Sequence, residues 1–415
     1  MQRQSATAVL SILILTAGCL TTLAIRPRAQ SPFAAQDPAE THSGQVEFLV
    51  RMVSVREAKF LRASPLDASA RLIPCHGCSA RRTESLVELR ASSSDVIAGQ
   101  SSGTASVTLV GAWRICSDSG RIVNSSERAV LTAELDHVDL TLAVPEEEYV
   151  ARVLASEASN FRSDEALKAM AVAVRTYAVR FRGRHHTQGF DFCDSTHCQA
   201  LRLGSVPPRF HAAAQSTAGQ LLWYGGSPAS TYYFLDCGGT TEAAGQDWPE
   251  RSTPYLVAHA DPYCVLHGRA DWTASLTHDE ITQALAELKI QTPAAWSAIT
   301  IVSHRPSGRV RLLKISGATR LLISASRFRL AVNRAMGEKI RSDLYEVSER
   351  EGQFVFHGYG AGHGIGLCQK GADVMGISGK TYREILAFYY PGTILGTTSP
   401  EADATHQISQ SISKR

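Results

Sequence analysis

Sulfur and nitrogen side chains cluster in one short segment near the middle of the chain. Cys193, His197 and Cys198 lie close together in sequence, and His185 and His186 precede them. Side chains of these types bind zinc, whereas two close cysteines can also form a disulfide bond. The chain has nine cysteines in 415 residues, a number that suits either an oxidising compartment or a metal site. Both chemistries stay open at this point.

A second unusual segment, residues 358–366, has glycine at every second position. In a β-strand, alternate residues share a face, so these glycines predict a face that another backbone or a flat ligand can approach closely. Tyr359 and His363 would then project from the opposite face. Close backbone packing and the lining of a ligand groove are the two interpretations.

Other chemical signatures do not fit this chain. Gly379, Lys380 and Thr381 resemble the end of a phosphate-binding loop, but Val374 stands where the first glycine is required. The sequence contains no His-Glu-x-x-His motif of a metalloprotease helix. Lys and Arg together number 42 and Asp and Glu number 39. This balance gives no indication of nucleic acid as a partner.

Two helices are predicted to follow a β-rich region. Pro145 and the acidic residues 146–148 are typical of a helix start. A second helix is predicted from Ser163, because apolar residues at positions 167, 170, 174 and 178 recur at helical steps. Residues 156–162 must then form the joint between two packed helices.

The remainder of the chain mixes both kinds of element. Strand-like runs at 220–224, 231–235 and 310–315 alternate with a helical stretch at 279–288. Hydrophobic residues make up 44% of the chain and charged residues 20%, as in ordinary folded proteins. The predicted fold class is α+β. The predicted parts are a signal peptide or anchor (1–30), a small β-rich region (44–139), a main mixed domain (140–396) and a disordered tail (397–415).

The first thirty residues predict export. An almost wholly apolar stretch precedes Arg26, and Cys19 stands where a lipoprotein cysteine would be acylated. A cleaved signal peptide, an uncleaved membrane anchor and a lipid anchor remain open. All three place the rest of the chain in the cell envelope, outside the cytoplasm.

A long specific pattern begins at residue 144. It reads Val-Pro-Glu-Glu-Glu-Tyr-Val at 144–150, Ala-Ser-Glu at 155–157 and Arg-Thr-Tyr-Ala at 175–178. Further matching segments follow in order at 193–199, 237–239, 261–264, 362–372 and 382–393. Together these residues resemble the stage II sporulation protein D family, also called the SpoIID/LytB domain, whose members include peptidoglycan lytic transglycosylases. The resemblance covers residues 140–395 and implies a mixed domain with paired N-terminal helices and a β-rich remainder.

The resemblance implies that Glu157 is the catalytic acid. Cleaving a glycosidic bond requires a protonated carboxyl group, and a partly apolar cleft would raise the pKa of Glu157 as this role requires. Arg175 and Tyr177 match the Arg-Thr-Tyr-Ala run of the family. They lie about 200 degrees apart around a helix, so they cannot face one cleft equally. Arg175 is predicted to be a second catalytic residue that orients a carboxylate, and Tyr177 is a substrate-binding candidate whose alternative role is packing.

The family pattern also implies groove residues. This chain departs from it at Asp236 and Cys237, which stand before the glycine pair where the family usually has serine or histidine, and at Lys370, where an aromatic residue is frequent. Lysine offers charge and hydrogen bonds, whereas aromatic faces usually stack on sugars. The further substrate-binding candidates are Gln199, Tyr359, His363 and Gln369.

Family members hold zinc with cysteine and histidine residues like those of the segment described first. The resemblance thus implies a structural zinc at His186, Cys193, His197 and Cys198. The rival is a disulfide between Cys193 and Cys198, or long-range pairs of these cysteines with Cys237 and Cys264. The Cys75 and Cys78 pair lies outside the recognised region and is expected to form a local bridge or an exposed loop. The implied reaction itself requires no cofactor.

The function implied by the resemblance is cleavage of peptidoglycan glycan strands after N-acetylmuramic acid, which gives anhydromuramic ends with Glu157 as general acid and base. The alternatives are a non-catalytic glycan-binding enhancer of a cell-wall amidase and a muramidase-type hydrolase. The hydrolase would need a second carboxylate, for which the acids 146–148, Asp164 and Glu165 are the neighbours in sequence. The expected partners are glycan strands, a cell-wall amidase and, through the N-terminal segment, the membrane.

Overall fold

The computed structural model describes residues 46–245 and 253–397. The predicted N-terminal signal or anchor and nearly all of the predicted tail lie outside these residues. Helices and several sheets are both present, which confirms the predicted α+β class. Among the described residues, no helix is both long enough and apolar enough to cross a membrane.

The β-rich region consists of two sheets whose apolar faces contribute to one core. Alternation explains the strands: in β1, Phe48 and Val50 are buried while their neighbours are partly exposed. The first sheet has the strand order β12-β1-β11-β10-β7-β3-β4 and the second β6-β5-β2-β8-β9. The strands are β1 (Glu47–Arg51), β2 (Phe60–Pro65), β3 (Arg71–Ile73), β4 (Arg81–Arg82), β5 (Val87–Ser92), β6 (Asp95–Ala98), β7 (Ser106–Val110), β8 (Trp113–Ser117), β9 (Ile122–Ser125), β10 (Arg128–Glu134), β11 (His137–Pro145) and, later in the chain, β12 (Phe192–Cys193).

The first two helices lie side by side and pack against the sheets in the main core. The first begins directly after β11, so the β-rich region and the helices are continuous, and 12 of the 18 residues of the second helix are buried. The helices are α1 (Glu146–Glu157), α2 (Asp164–Phe181), α3 (Pro208–Ser216), α4 (Pro262–Val265), α5 (His278–Glu287), α6 (Ala325–Met336), α7 (Gln369–Ile377) and α8 (Tyr382–Tyr389).

The joint between α1 and α2 is tightly held. Ser163 caps α2 by accepting a hydrogen bond from the Ala166 N–H. Asp373 on α7 accepts the N–H groups of Arg162 and Ser163 at 2.8 and 2.9 Å. The end of α1 therefore has a defined position relative to α7. This confirms the helix start predicted at Ser163, whereas Pro145 occupies the N-cap position of α1 and makes no side-chain cap.

A second core lies between α4 and α7 in the chain. It is built by α5 and α6 together with two antiparallel sheets, β16-β21-β20 and β17-β18-β19, and it is separate from the main core. The remaining strands are β13 (Leu221–Tyr224), β14 (Ser227–Pro228), β15 (Tyr233–Phe234), β16 (Asp271–Thr277), β17 (Ala298–His304), β18 (Val310–Ser316), β19 (Arg320–Ser324), β20 (Tyr345–Arg350), β21 (Gln353–Tyr359), β22 (Leu367–Cys368) and β23 (Ile394–Gly396).

The glycine-rich segment is not the continuous strand predicted from its period. Strand β21 ends at Tyr359, and Gly360, Gly362, Gly364 and Gly366 all have positive φ angles, between 74° and 101°. A Cβ at Gly366 would overlap the Tyr232 carbonyl. Alternating glycines serve here as a chain of left-handed turns packed against other backbone, because only glycine adopts those angles without strain. Of the two interpretations, close backbone packing describes the geometry, and Gly360 also lines a groove.

Candidate active site

The carboxyl group of Glu157 lies at the wall of a groove. Glu157 is the last residue of α1, so its side chain leaves the helix at the joint that precedes α2. The groove has a volume of about 460 Å³ and receives residues from both cores. Gln369 and Lys370 line it from the start of α7, Arg341 lines it from the segment between α6 and β20, and Gly360 lines it from the turn after β21. The volume lies within the usual range for ligand pockets.

Burial raises the pKa of Glu157 to about 7. Removal from water disfavours the charged carboxylate, and this effect outweighs two hydrogen bonds that favour it. One comes from the Ala200 N–H, at 2.6 Å from Oε1, and the other from the Tyr233 hydroxyl. Near neutral pH, Glu157 therefore exchanges between its acid and base forms.

Tyr233 is held in place by a buried chain of hydrogen bonds. Gln199 donates from Nε2 to the Tyr233 hydroxyl at 3.0 Å, and its Oε1 accepts from the Tyr149 hydroxyl at 3.0 Å. Gln199 is only 1% exposed. It contacts Glu157 only through Tyr233, and the structure does not place this predicted substrate-binding residue among those that line the groove.

The structure places Arg175 away from the groove. Its guanidinium is fully buried and pairs with Glu147, near the start of α1, and it also donates to the Ala214 carbonyl at 3.0 Å. Arg175 does orient a carboxylate, but that carboxylate belongs to Glu147 and not to Glu157. The structure does not bring the predicted catalytic residue Arg175 together with Glu157, because the Arg175 side chain faces Glu147 and α3 and is not among those that line the groove.

Tyr177 likewise packs inside the fold. Its ring lies against Phe181 and Tyr232, with centroids 4.6 and 5.9 Å apart, and its hydroxyl accepts from Arg184 at 2.7 Å. The residue is 7% exposed and is not among those that line the groove. Of its two predicted roles, substrate binding and packing, the observed geometry is that of packing.

Of the three remaining candidates, Gln369 lines the groove with Glu157. His363 does not: burial lowers the pKa of its imidazole to about 3, and its Nδ1 accepts the Ile365 N–H at 3.1 Å. Neutral His363 therefore supports the glycine-rich turns. Tyr359 lies at the end of β21 beside the groove residue Gly360, and its ring stacks under the Arg269 guanidinium at 3.7 Å.

The cysteine and histidine segment forms a compact cluster at the edge of the first sheet. Strand β12 pairs with β1 and carries Cys193. The Cys193 and Cys198 sulfurs are 3.3 Å apart, and His197 Nδ1 lies 3.6 and 3.7 Å from them. The fourth member is His185, whose Nε2 is 3.4 Å from the Cys198 sulfur. His186 is directed elsewhere, toward the Gly183 carbonyl, so it is replaced by His185 in the predicted ligand set.

These four residues fit a zinc ion. Their ligand atoms all lie within 4.8 Å of one another, and two thiolates with two imidazoles are a common structural zinc set. His185 Nδ1 meets Gln188 Oε1 at 3.0 Å, which orients Nε2 toward the sulfurs. Both cysteines are free thiols, whereas Cys75 and Cys78 form the local disulfide that was expected.

Sequence reasoning missed the residues from distant segments that contact Glu157 or line the groove. Tyr233 was part of a predicted strand without a role, and Ala200 contributes only its backbone N–H. Asp236 was noted only as a departure from a motif, yet it lines the groove and pairs with Lys370 at 3.3 Å. The available sequence signal for Tyr233 was its position in the predicted strand at 231–235, directly before the polar segment that begins at Asp236.

Fold and groove together define an α+β protein with a candidate acid–base site. A family model described as Stage II sporulation protein matches residues 135–224, and a model described as Domain of unknown function (DUF8618) matches residues 268–366, the second core. Stage II sporulation protein D of Bacillus subtilis is 31% identical over 278 residues, which cover 63% of this chain and 76% of that protein. The chain belongs to the stage II sporulation protein D family.

Two further relatives extend the comparison. An uncharacterized protein of Brachyspira hyodysenteriae is 31% identical over 248 residues, or 59% of this chain and 65% of that protein. The amidase enhancer of Bacillus subtilis is 29% identical over 278 residues, or 56% of this chain and 38% of that protein. The chain thus spans less than two thirds of the length of each of these two relatives.

Proposed function

We propose that this protein is an extracytoplasmic lytic transglycosylase that cleaves peptidoglycan glycan strands after N-acetylmuramic acid. The observation that carries the proposal is the sheltered carboxyl of Glu157, whose pKa is raised to about 7 at the wall of a groove. A general acid works best when its pKa is close to the working pH. Membership of the stage II sporulation protein D family and similarity to an amidase enhancer support a role in the cell wall.

The reaction can be written with Glu157 as the only acid and base. Protonated Glu157 gives its proton to the glycosidic oxygen as the bond from that oxygen to the muramic C1 breaks. The hydroxymethyl oxygen of the same muramic residue then bonds to C1 and passes its proton to the Glu157 carboxylate. The products are an anhydromuramic end and a free hydroxyl on the next sugar, and no water is consumed.

The engagement of the other acids supports this route over hydrolysis. An inverting hydrolase needs a carboxylate free to activate water, and a retaining one needs a free nucleophile. The acids at the start of α1 are nine or more residues from Glu157, about 14 Å along the helix. Glu165 is tied to Lys168. In the groove itself, Asp373 accepts two N–H groups at the start of α2, and Asp236 accepts the Gly238 N–H and pairs with Lys370.

Cations at the groove suit an anionic polymer. Arg162, Arg341 and Lys370 line it, and the side chain of Arg162 is 70% exposed although it lies 3.6 Å from Asp373. The lactyl and peptide carboxylates of peptidoglycan would be attracted to this rim. Lys370 would bind such groups or sugar hydroxyls, since it cannot stack on a sugar ring as an aromatic residue would.

The zinc site proposed at His185, Cys193, His197 and Cys198 would be structural in this scheme. Four protein ligands leave no open position, and a metal closed in this way holds chain segments together. It would hold in place β12 and the segment that follows β12 as far as Ala200. The Ala200 N–H donates a hydrogen bond to Glu157. No step of the reaction passes through it.

A second candidate function is enhancement of a cell-wall amidase through glycan binding, and the similarity to the amidase enhancer favours it. In this function the groove would bind glycan strands, and Glu157 would not act as a general acid.

Product mass spectrometry on peptide-free glycan strands tests both functions and the hydrolase. The wild-type protein should produce fragments with anhydromuramic ends. Glu157→Gln should still bind glycan strands but should produce no such fragments. Reducing muramic ends would identify a hydrolase. Strand binding without any product from the wild type, combined with stimulation of an added amidase, would replace the proposed activity by the enhancer function.

A further inference from the structure

Three cysteines and an aspartate form a second cluster, which is separate from the His185 site. Cys237, Asp261, Cys264 and Cys368 are all fully buried, and their ligand atoms lie within 4.8 Å of one another. They come from three distant segments: the turn after β15, helix α4 and the junction of β22 with α7. Tertiary folding therefore assembles a set of soft and hard metal ligands inside the core.

We infer that Cys237, Asp261, Cys264 and Cys368 form a second four-coordinate zinc site. A single zinc ion about 2.3 Å from each sulfur places the sulfurs of a tetrahedral site about 3.8 Å apart, which agrees with the spread of this cluster. An iron–sulfur cluster has its own iron and sulfide core and would hold the cysteine sulfurs farther apart. The donor set also excludes a magnesium or calcium site, because those ions prefer oxygen ligands.

Backbone N–H groups point at the sulfurs as they do around metal-bound thiolates. The Cys237 and Gly371 N–H groups donate to the Cys368 sulfur at 3.3 and 3.4 Å. The Gly239 N–H donates to the Cys237 sulfur at 3.3 Å. Hydrogen bonds to a sulfur favour its charged thiolate form, which is the form that binds metals. A buried cluster of neutral thiols would gain less from three such donors.

The carboxylate is oriented for the same purpose. Asp261 Oδ1 accepts the Cys264 N–H at 3.0 Å as the cap of α4, and Oδ2 accepts the Tyr389 hydroxyl at 2.8 Å. Oδ2 also lies 3.3 Å from the Cys237 sulfur. Partners of this kind fix the direction of a ligand atom. Glycine is required at position 371, because a Cβ there would overlap both the Tyr389 hydroxyl and Asp261.

Charge and stoichiometry favour a cation in this cluster. Four acidic groups packed together away from water repel one another when ionised, and a divalent ion removes that cost. The three sulfurs are an odd number, so a disulfide could join only two of them and would leave a buried third thiol. All three are free thiols in the structure.

The site would brace the groove wall that faces Glu157. Asp236, which lines the groove, precedes Cys237, and the groove residues Gln369 and Lys370 follow Cys368. An ion that joins these ligands would fix both segments to α4. The inference concerns metal content and stands independently of the proposed activity.

Metal analysis of the full-length protein, purified without chelator, tests the inference. We expect two zinc ions per chain in the wild type and one in Cys264→Ser, a twofold decrease. Cys198→Ser should also retain one ion, since it removes only the His185 site. The matched control is Cys116→Ser, which changes a free cysteine outside both clusters and should retain two ions.

Two results would overturn the inference. The first is a zinc content that is the same in Cys264→Ser as in the wild type. The second is a disulfide between two of the three cysteines, detected by mass spectrometry of the unreduced chain. If Cys264→Ser does not fold, cobalt substitution of Cys198→Ser decides: an intense thiolate-to-cobalt charge-transfer band supports the site, and its absence overturns it.

Discussion

The two ends of helix α1 carry glutamates in opposite environments. Glu147, in the first turn, pairs with the fully buried guanidinium of Arg175 and accepts the Gly219 N–H at 3.3 Å. Glu157, at the last residue, accepts hydrogen bonds from neutral donors, and burial raises its pKa to about 7. One helix therefore holds a structural carboxylate and a candidate catalytic carboxyl. The difference comes from what packs against each end, since the residue type is the same.

The largest expected effect separates the two glutamates by activity. Glu157→Gln should lower kcat by about a hundred- to ten-thousand-fold, the usual contribution of a general acid. The amide that replaces the carboxyl keeps an oxygen that can accept the Ala200 N–H, so the fold should persist. Glu147→Gln, compared at equal concentrations of folded protein, should keep kcat within a few-fold of the wild type. Equal losses in both variants would remove the distinction between the two ends.

Stability should show the opposite order. Glu147→Gln leaves Arg175 buried without its carboxylate, which should lower the free energy of unfolding by about 3–5 kcal/mol in chemical denaturation. The matched control is Lys168→Ala, which breaks a partly exposed pair with Glu165 and should cost about 0–1 kcal/mol. A cost near that of the control would show that the Arg175 pair is not structural.

The raised pKa of Glu157 makes stability depend on pH. In the unfolded chain this carboxyl ionises near its ordinary value of 4.5, and in the folded protein near 7. The folded state thus binds the proton more tightly, and the contribution of Glu157 to stability falls as pH rises through this window. Glu157→Gln lacks that decrease, so above pH 7 it should be more stable than the wild type by about 1–3 kcal/mol.

Denaturation of both proteins at pH 4 and pH 8 measures this difference. At pH 4 the two should differ much less, because Glu157 is then protonated in both states. A constant difference across the pH range would contradict the raised pKa.

The smallest effect concerns Tyr233. Its hydrogen bond lowers the pKa of Glu157, so Tyr233→Phe should raise that pKa further and move the basic limb of the kcat/KM profile to higher pH. The change should be about 0.5–1 pH unit, as expected for one hydrogen bond of about 1 kcal/mol. Tyr177→Phe is the matched control, because Tyr177 does not line the groove. A shift in the control as large as that in Tyr233→Phe would argue for a general loosening of the fold.

Local patterns predicted the elements well. The Ser163 cap, the apolar repeat of α2 and the strand near residue 310 all depend on neighbours in sequence. The strand predicted at 358–366 was wrong beyond Tyr359. A glycine at every second position cannot distinguish a strand from successive left-handed turns, because those turns depend on the backbone packed beside them. The sequence could not place Arg175 against Glu147 for a related reason: a helical pattern gives the face on which a residue lies but not the element that covers that face.

From the order of its residues alone, this chain is identifiable as an α+β protein of its family with one candidate acid, because motifs and helix signals are local. Tertiary structure decided the chemistry. It buries Glu157 and pairs Glu147 with Arg175. It places His185, and not His186, beside the sulfur of Cys198, and it brings Cys237, Cys264 and Cys368 together. Burial and contact between distant segments set charge states and ligand sets, and neither can be read from spacing along the chain.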